Sequence, residues 1–172
     1  MSRQLPGEPG RDQSGGVGLL TLEQLAAMPG LDFLRGLMEG RSPAPPFSKV
    51  ARVAPISIER GKVVFSGLPS ADFYNPMGIV HGGWIALLLD TVMGCAVHSA
   101  LPAGKAYTTI EMKTSFIRAV RESSGPLTAE GVVLHVGGNV ASAEGKIYDD
   151  RKRLVTHGSE TCMIWNAGEA RS

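Results

Sequence analysis

Residues 84–98 read Trp84-Ile85-Ala86-Leu87-Leu88-Leu89-Asp90-Thr91-Val92-Met93-Gly94-Cys95-Ala96-Val97-His98, and this run decides the fold. It is too long for an ordinary strand and apolar on every face, so it predicts a buried helix rather than a surface one. It is not expected to span a membrane, because Asp90 interrupts it and it falls short of the roughly 20 residues a span requires. Upstream, the β-rich runs 53–59 and 62–66 flank Arg60-Gly61, a pair suited to the turn of a hairpin. Downstream, residues 107–118 alternate, with Ile110, Met112, Thr114 and Phe116 on one face and Thr109, Glu111, Lys113 and Ser115 on the other. Runs 127–136, 140–148 and 154–165 continue as strands, punctuated by Gly137-Gly138 and by Asp149-Asp150-Arg151-Lys152, so the second half reads as an antiparallel meander. One buried helix followed by a long sheet predicts an α+β fold in which the sheet curls around the helix.

The ends of the chain are more polar. Residues 1–18 combine Pro6, Pro9 and several glycines without periodicity, and are expected to be a disordered tail. At Thr21 a Thr-x-x-Gln capping box opens a helical pattern of Leu22, Leu25 and Met28, interrupted by Pro29 and resumed by Leu31, Leu34, Leu37 and Met38 up to Gly40. Residues 41–46 carry three prolines and predict a stiff connector. The expected layout is therefore a tail (1–18), a helical segment with its connector (19–46), one main domain (47–166) and a short C-terminal tail (167–172).

Composition narrows the function classes. With 17 Lys plus Arg against 16 Asp plus Glu, no strong field draws nucleic acid or an anionic membrane surface. Cys95 and Cys162 stand far apart in apolar contexts, which predicts reduced thiols, and neither they nor His98, His135 and His157 have metal-ligand spacing, so no metal or other cofactor is expected. No Gly-x-Ser-x-Gly elbow is present, which disfavours a serine hydrolase. The N-terminal residues lack the apolar core of a secretory signal, and a cytoplasmic location is the expectation.

The chemistry concentrates in residues 75–90, Asn75-Pro-Met-Gly-Ile-Val-His81-Gly82-Gly83-Trp-Ile-Ala-Leu-Leu-Leu-Asp90. Gly82 and Gly83 fall at the start of the helix, where free N–H groups and the macrodipole can polarise a carbonyl oxygen, and glycine lets a substrate approach closely. Asp90 is the one carboxylate in the apolar run, so its burial costs several kcal/mol unless it is paired. Eight residues of helix separate Gly82 from Asp90 by about 12 Å, too far for both to touch one reacting carbonyl. Cooperation between them requires a two-fold partner, and so a homodimer.

The run NPMGIVHGGWIALLLD, followed by AYTTIEMKTSFIRAV, resembles the PaaI-like (phenylacetate-pathway type) acyl-CoA thioesterases of the hotdog superfamily, over roughly residues 30 to 166. The resemblance implies a hotdog fold and hydrolysis of an acyl-CoA, with a medium-chain or aromatic acyl group, by a homodimer or a dimer of dimers. It implies Asp90 as general base or nucleophile, the Gly82 N–H polarising the thioester carbonyl, Asn75 positioning water or substrate, and His81 supporting that loop. It also implies Gly83 beside the substrate. In related enzymes a hydroxyl on the strand after the helix assists the carboxylate, a part for which Thr108 and Thr109 compete here: strand alternation favours Thr108, motif alignment Thr109. Where relatives carry basic residues near position 137, this chain has Gly137-Gly138, so CoA phosphates would meet backbone N–H groups there, or Arg118 and Arg121. The alternative is a non-catalytic acyl-CoA-binding or regulatory protein of the same fold.

Overall fold

The apolar run is helical in the computed structural model, which describes residues 16–168. Among the described residues lie four α-helices, α1 (Leu22–Ala26), α2 (Gly30–Met38), α3 (Pro46–Ala51) and α4 (Gly82–Ala100). Six strands accompany them: β1 (Val53–Glu59), β2 (Lys62–Gly67), β3 (Lys105–Phe116), β4 (Leu127–Val136), β5 (Val140–Tyr148) and β6 (Leu154–Asn166). They form one antiparallel sheet in the order β1-β2-β4-β5-β6-β3, curled around α4. By length and composition α4 could cross a membrane, yet Leu88, Leu89, Val92, Met93, Ala96 and Val97 are fully buried inside the molecule. Burial of each larger side chain contributes about 1.5–3 kcal/mol, which is why this helix organises the core.

What lets the helix sit so low on the sheet is a row of glycines. Gly131 of β4, Gly145 of β5 and Gly158 of β6 are direct cross-strand partners. A Cβ on Gly131 would lie 2.1 Å from the Val92 carbonyl oxygen, one on Gly145 2.8 Å from Leu89 and Met93, and one on Gly158 2.4 Å from the Lys113 carbonyl oxygen. The row is thus a groove for the Leu89–Met93 turn of α4, with no room for a side chain.

Several expectations hold. The Thr21 capping box forms in both directions, and Arg60-Gly61 closes the β1–β2 hairpin with Gly61 at φ 75°. Asp149 accepts from the Arg151 and Arg153 N–H groups and pairs with the Arg153 guanidinium at 2.7 Å, shaping the β5–β6 turn.

Others are corrected. The proline connector runs straight into α3, because Pro46 occupies the first helical position, where the missing N–H is no loss. The second half is not a simple meander: β3 leaves β4 and pairs with β6 on the far side, while β4 pairs with β2. The β3–β4 connection is a long one, through Glu122–Ser124, and is held by Val80 N–H donating to the Val120 carbonyl and Glu122 N–H to Tyr74 Oη. Of the tail expected to be disordered, residues 1–15 lie outside the described residues, but Val17 bridges to Ala44. Of the expected C-terminal tail, residues 169–172 lie outside them as well.

The alternation of β3 is also corrected. The register with β6 shifts between Thr109 and Glu111, a bulge that puts two residues where one belongs. Tyr107 and Thr109 consequently face α4 together with Met112 and Thr114, whereas Ile110 is 57% exposed.

Candidate active site

Asp90 sits midway along α4, half-buried. Across from it, the bulge aims Thr109 inward, with Oγ1 3.0 Å from Asp90 Oδ1, while Thr108 points outward and is exposed. The structure thus brings Thr109, and not Thr108, to the carboxylate. It also brings a residue the sequence reading passed over: Glu160 of β6, 2% exposed, whose Oε1 is 3.2 Å from the same Thr109 oxygen. Cys162 donates its S–H to Glu160 Oε1 at 2.8 Å, and among the described residues Oε2 has no hydrogen-bond partner. Burial pushes the Glu160 carboxyl up from its ordinary 4.5 to about 7, and the nearby Asp90 charge adds to the rise against the hydrogen bonds of Cys162 and Thr109. A signal was present in the sequence, since Glu160 is in phase with Cys162 and Ile164 on the buried face of β6.

At the other end of α4, His81 is the N-cap, and its Nδ1 accepts from the Gly83 N–H at 2.8 Å. That leaves the Gly82 N–H, with no acceptor among the described residues, as the open donor at the helix end. The Phe116 ring covers Gly82, where a Cβ would lie 3.2 Å from it. Asn75 Oδ1 is committed to its own loop, accepting from Met77 N–H at 2.9 Å, and His81 N–H donates to the Phe73 carbonyl at 2.7 Å. The loop that precedes α4 is therefore prearranged. Arg118, exposed, follows Phe116 closely on this same side, whereas Gly137-Gly138 turns between β4 and β5 at the Thr109 end of the sheet. Asp90, Thr109 and Glu160 thus form one cluster, and Asn75, His81, Gly82 and Gly83 another, at separate places along one helix.

Between α4 and the N-terminal helices opens a cavity of about 310 Å³, lined by Thr91 and Cys95 of α4, Tyr107 of β3, Trp165 of β6, and Leu25 and Phe33, among others, a lining that does not include Asp90, Thr109 or Glu160. Its walls are almost wholly apolar. His98, also on the lining, is pushed down to about 4 by burial, and burial raises the Cys95 thiol to about 12, so both are uncharged at neutral pH.

Residues 77–156 match the model of the Thioesterase superfamily. The match covers 80 of the 172 residues, a likeness to that superfamily over this stretch of the chain. Its hotdog architecture is similar to that of the E. coli PaaI protein from the phenylacetic acid degradation operon, with a TM-score of 0.64 at 23% identity over 70% of this chain and 84% of that one. A Streptococcus mutans UA159 protein solved bound to acetyl CoA superposes with a TM-score of 0.61 at 21% identity, over 66% of this chain and 89% of that one. At such identities the likeness is one of fold. A curated Halobacterium salinarum protein whose name proposes an esterase is 45% identical over 69 residues, which are 39% of this chain and 44% of that relative, less than half its length. The superfamily match spans Gly82, Asp90 and Thr109 and ends at Thr156, so Glu160 lies just beyond it.

Proposed function

We propose that the protein hydrolyses acyl-CoA thioesters to a carboxylic acid and free CoA, with Asp90 as general base or nucleophile. The observation that carries this reading is a carboxylate on the central helix, held by Thr109, within the stretch that matches the Thioesterase superfamily. Thioester hydrolysis needs an activated water and a donor for the developing oxyanion. Water adds to the carbonyl carbon as its proton passes to Asp90. The carbonyl electrons move to oxygen, facing the Gly82 N–H at the positive end of α4, and return as the C–S bond breaks and the CoA thiolate leaves. If Asp90 itself attacks, the same donor serves and water cleaves the acyl-Asp90 anhydride. Asn75 and His81 hold the loop beside the donor, and Gly83 leaves room for the substrate.

At ~1.5 Å rise per residue, α4 sets Gly82 and Asp90 about 12 Å apart, so in this reading the donor that serves each Asp90 belongs to a second copy of the chain. The free edge of β3 supports an isologous seam, with Ile110 57% and Phe116 52% exposed along it. Pairing of dimers is supported by Val132 and Leu134, both exposed on β4. Arg118 and the Gly137-Gly138 turn are the candidates for the CoA phosphates. At about 310 Å³ the cavity is at the small end of ligand pockets, which supports a medium-chain or aromatic acyl group. The acetyl CoA found with the Streptococcus mutans protein supports the choice of thioester class.

Thiol release from a panel of acyl-CoAs, read colorimetrically, tests the proposal. The parent should turn over at least one medium-chain or aromatic ester, and Asp90→Asn should lose about 100-fold or more in kcat while staying folded. Equal turnover by the two proteins, or calorimetric binding of CoA esters without thiol release by the parent, would contradict it.

A further inference from the structure

A buried carboxyl faces the site without a place in the reaction just described. Glu160 is 2% exposed on β6, and its side chain points at the inner face of α4 and β3. The groups that bear on it among the described residues are Asp90 and Cys95 from α4, Tyr107 and Thr109 from β3, and Cys162 from its own strand. On β5 its cross-strand partner is the apolar Ala143. Cys95 and Tyr107 are both held protonated by burial, so the pair of carboxyls carries the only charge of the cluster at neutral pH.

Hydrogen counting then fixes the arrangement. The Thr109 hydroxyl has one hydrogen but lies 3.0 Å from Asp90 Oδ1 and 3.2 Å from Glu160 Oε1. It can donate to one carboxyl only, and must accept from the other. Glu160 is the deeper of the two, with an oxygen that has no partner, and an ionised carboxylate so placed costs far more than a neutral carboxyl. Glu160 is therefore the one that carries a proton, and two adjacent carboxylates avoid ionising together for the same reason.

We propose that Glu160 is a positioning residue for Asp90: its protonated carboxyl donates to Thr109, which commits the Thr109 hydrogen to the Asp90 carboxylate. The chain Glu160 to Thr109 to Asp90 orients the carboxylate without touching substrate. When Glu160 loses its proton, Thr109 has one hydrogen for two carboxylates and Asp90 loses its fixed orientation. Turnover then falls as pH rises through the Glu160 ionisation at about 7. This inference rests on the role of Asp90 argued above.

Its test joins kinetics to a direct titration of the full-length protein. In the parent, kcat on the best acyl-CoA should fall through one ionisation near pH 7. Glu160→Gln, whose amide donates to Thr109 and cannot ionise, should keep kcat within about threefold at pH 6 and lack that falling limb, with KM little changed. Glu160→Leu should lower kcat at every pH, because Thr109 loses its donor, and recovery by the isosteric glutamine separates this from a folding defect. Carbon-13 NMR of carboxyl-labelled glutamate should find one resonance, absent from Glu160→Gln, that titrates near 7 in the parent and lower in Asp90→Asn. Superimposable pH profiles for parent and Glu160→Gln, or a Glu160 resonance in the ordinary carboxylate range, would overturn the proposal. Full turnover by Asp90→Asn would instead overturn the function proposed for the site, and the NMR titration would still decide whether the two carboxyls are coupled.

Discussion

One extra residue decides which hydroxyl meets the carboxylate. Plain alternation along β3 puts Thr108 on the helix side, and the bulge at Thr109 to Glu111 reverses this. Thr109→Val should therefore cut kcat by about 10- to 100-fold in the thiol-release assay, while Thr108→Val leaves it near the parental value. The reverse ranking would place the bulge elsewhere. Glu160 also makes stability depend on pH. The folded protein keeps the Glu160 proton up to about pH 7, while an ordinary glutamate releases it near 4.5, so stability is full below 4.5 and falls as pH rises to 7 and beyond. That window corresponds to on the order of 3 kcal/mol. In urea titrations Glu160→Gln should gain on the parent by about 2–3 kcal/mol between pH 5 and pH 8; parallel curves would contradict the burial of an ionising group. Asp90, Gly82 and the rival threonines were legible in the sequence because each breaks a local pattern or opens a helix. The bulge was not, because register is set by cross-strand pairing that no local window contains. Glu160 was half-legible: its phase on β6 marked it as inward, but its partners come from α4 and β3.

The central helix and its sheet meet through glycine. Gly131, Gly145 and Gly158 are far apart in the chain, and only the pairing of β4, β5 and β6 aligns them beneath Leu89–Met93. Gly131→Ala should cost more than about 2 kcal/mol in denaturant unfolding, because the new methyl meets the Val92 backbone rather than a movable side chain. Gly138→Ala, with nothing within 4 Å, is the control and should be close to neutral. Equal stability of the two variants would mean the helix does not rest on this row. Strand positions were readable from alternation and turn residues, and all six came within about two residues at each end, since turns act locally. Their order was not, because it depends on where the long β3–β4 connection lands. The helix α3 was hidden by its own prolines: the residues that read as a breaker are the ones that start it.

At the scale of the whole molecule, the proposed reaction draws on two groups of one chain that lie apart. Gly82 opens α4 and Asp90 lies eight residues on, so the proposed site requires two helices. In light scattering the parent should run as a dimer or a multiple of it, with the β3 edge in the seam. Gly82→Pro removes the donor and asks only a small shift of the exposed Phe116 ring, because proline is tolerated at the first helical position and His81 before it is already extended, at φ −61° and ψ 135°. The most direct measurement is thiol release from a co-refolded equal mixture of Asp90→Asn and Gly82→Pro chains, each inactive alone. Mixed dimers would hold one intact site, made from Asp90 of one chain and Gly82 of the other, and the mixture should recover about a quarter of parental turnover. Mixed dimers that form but stay as inactive as the separate variants would contradict a site shared between two copies.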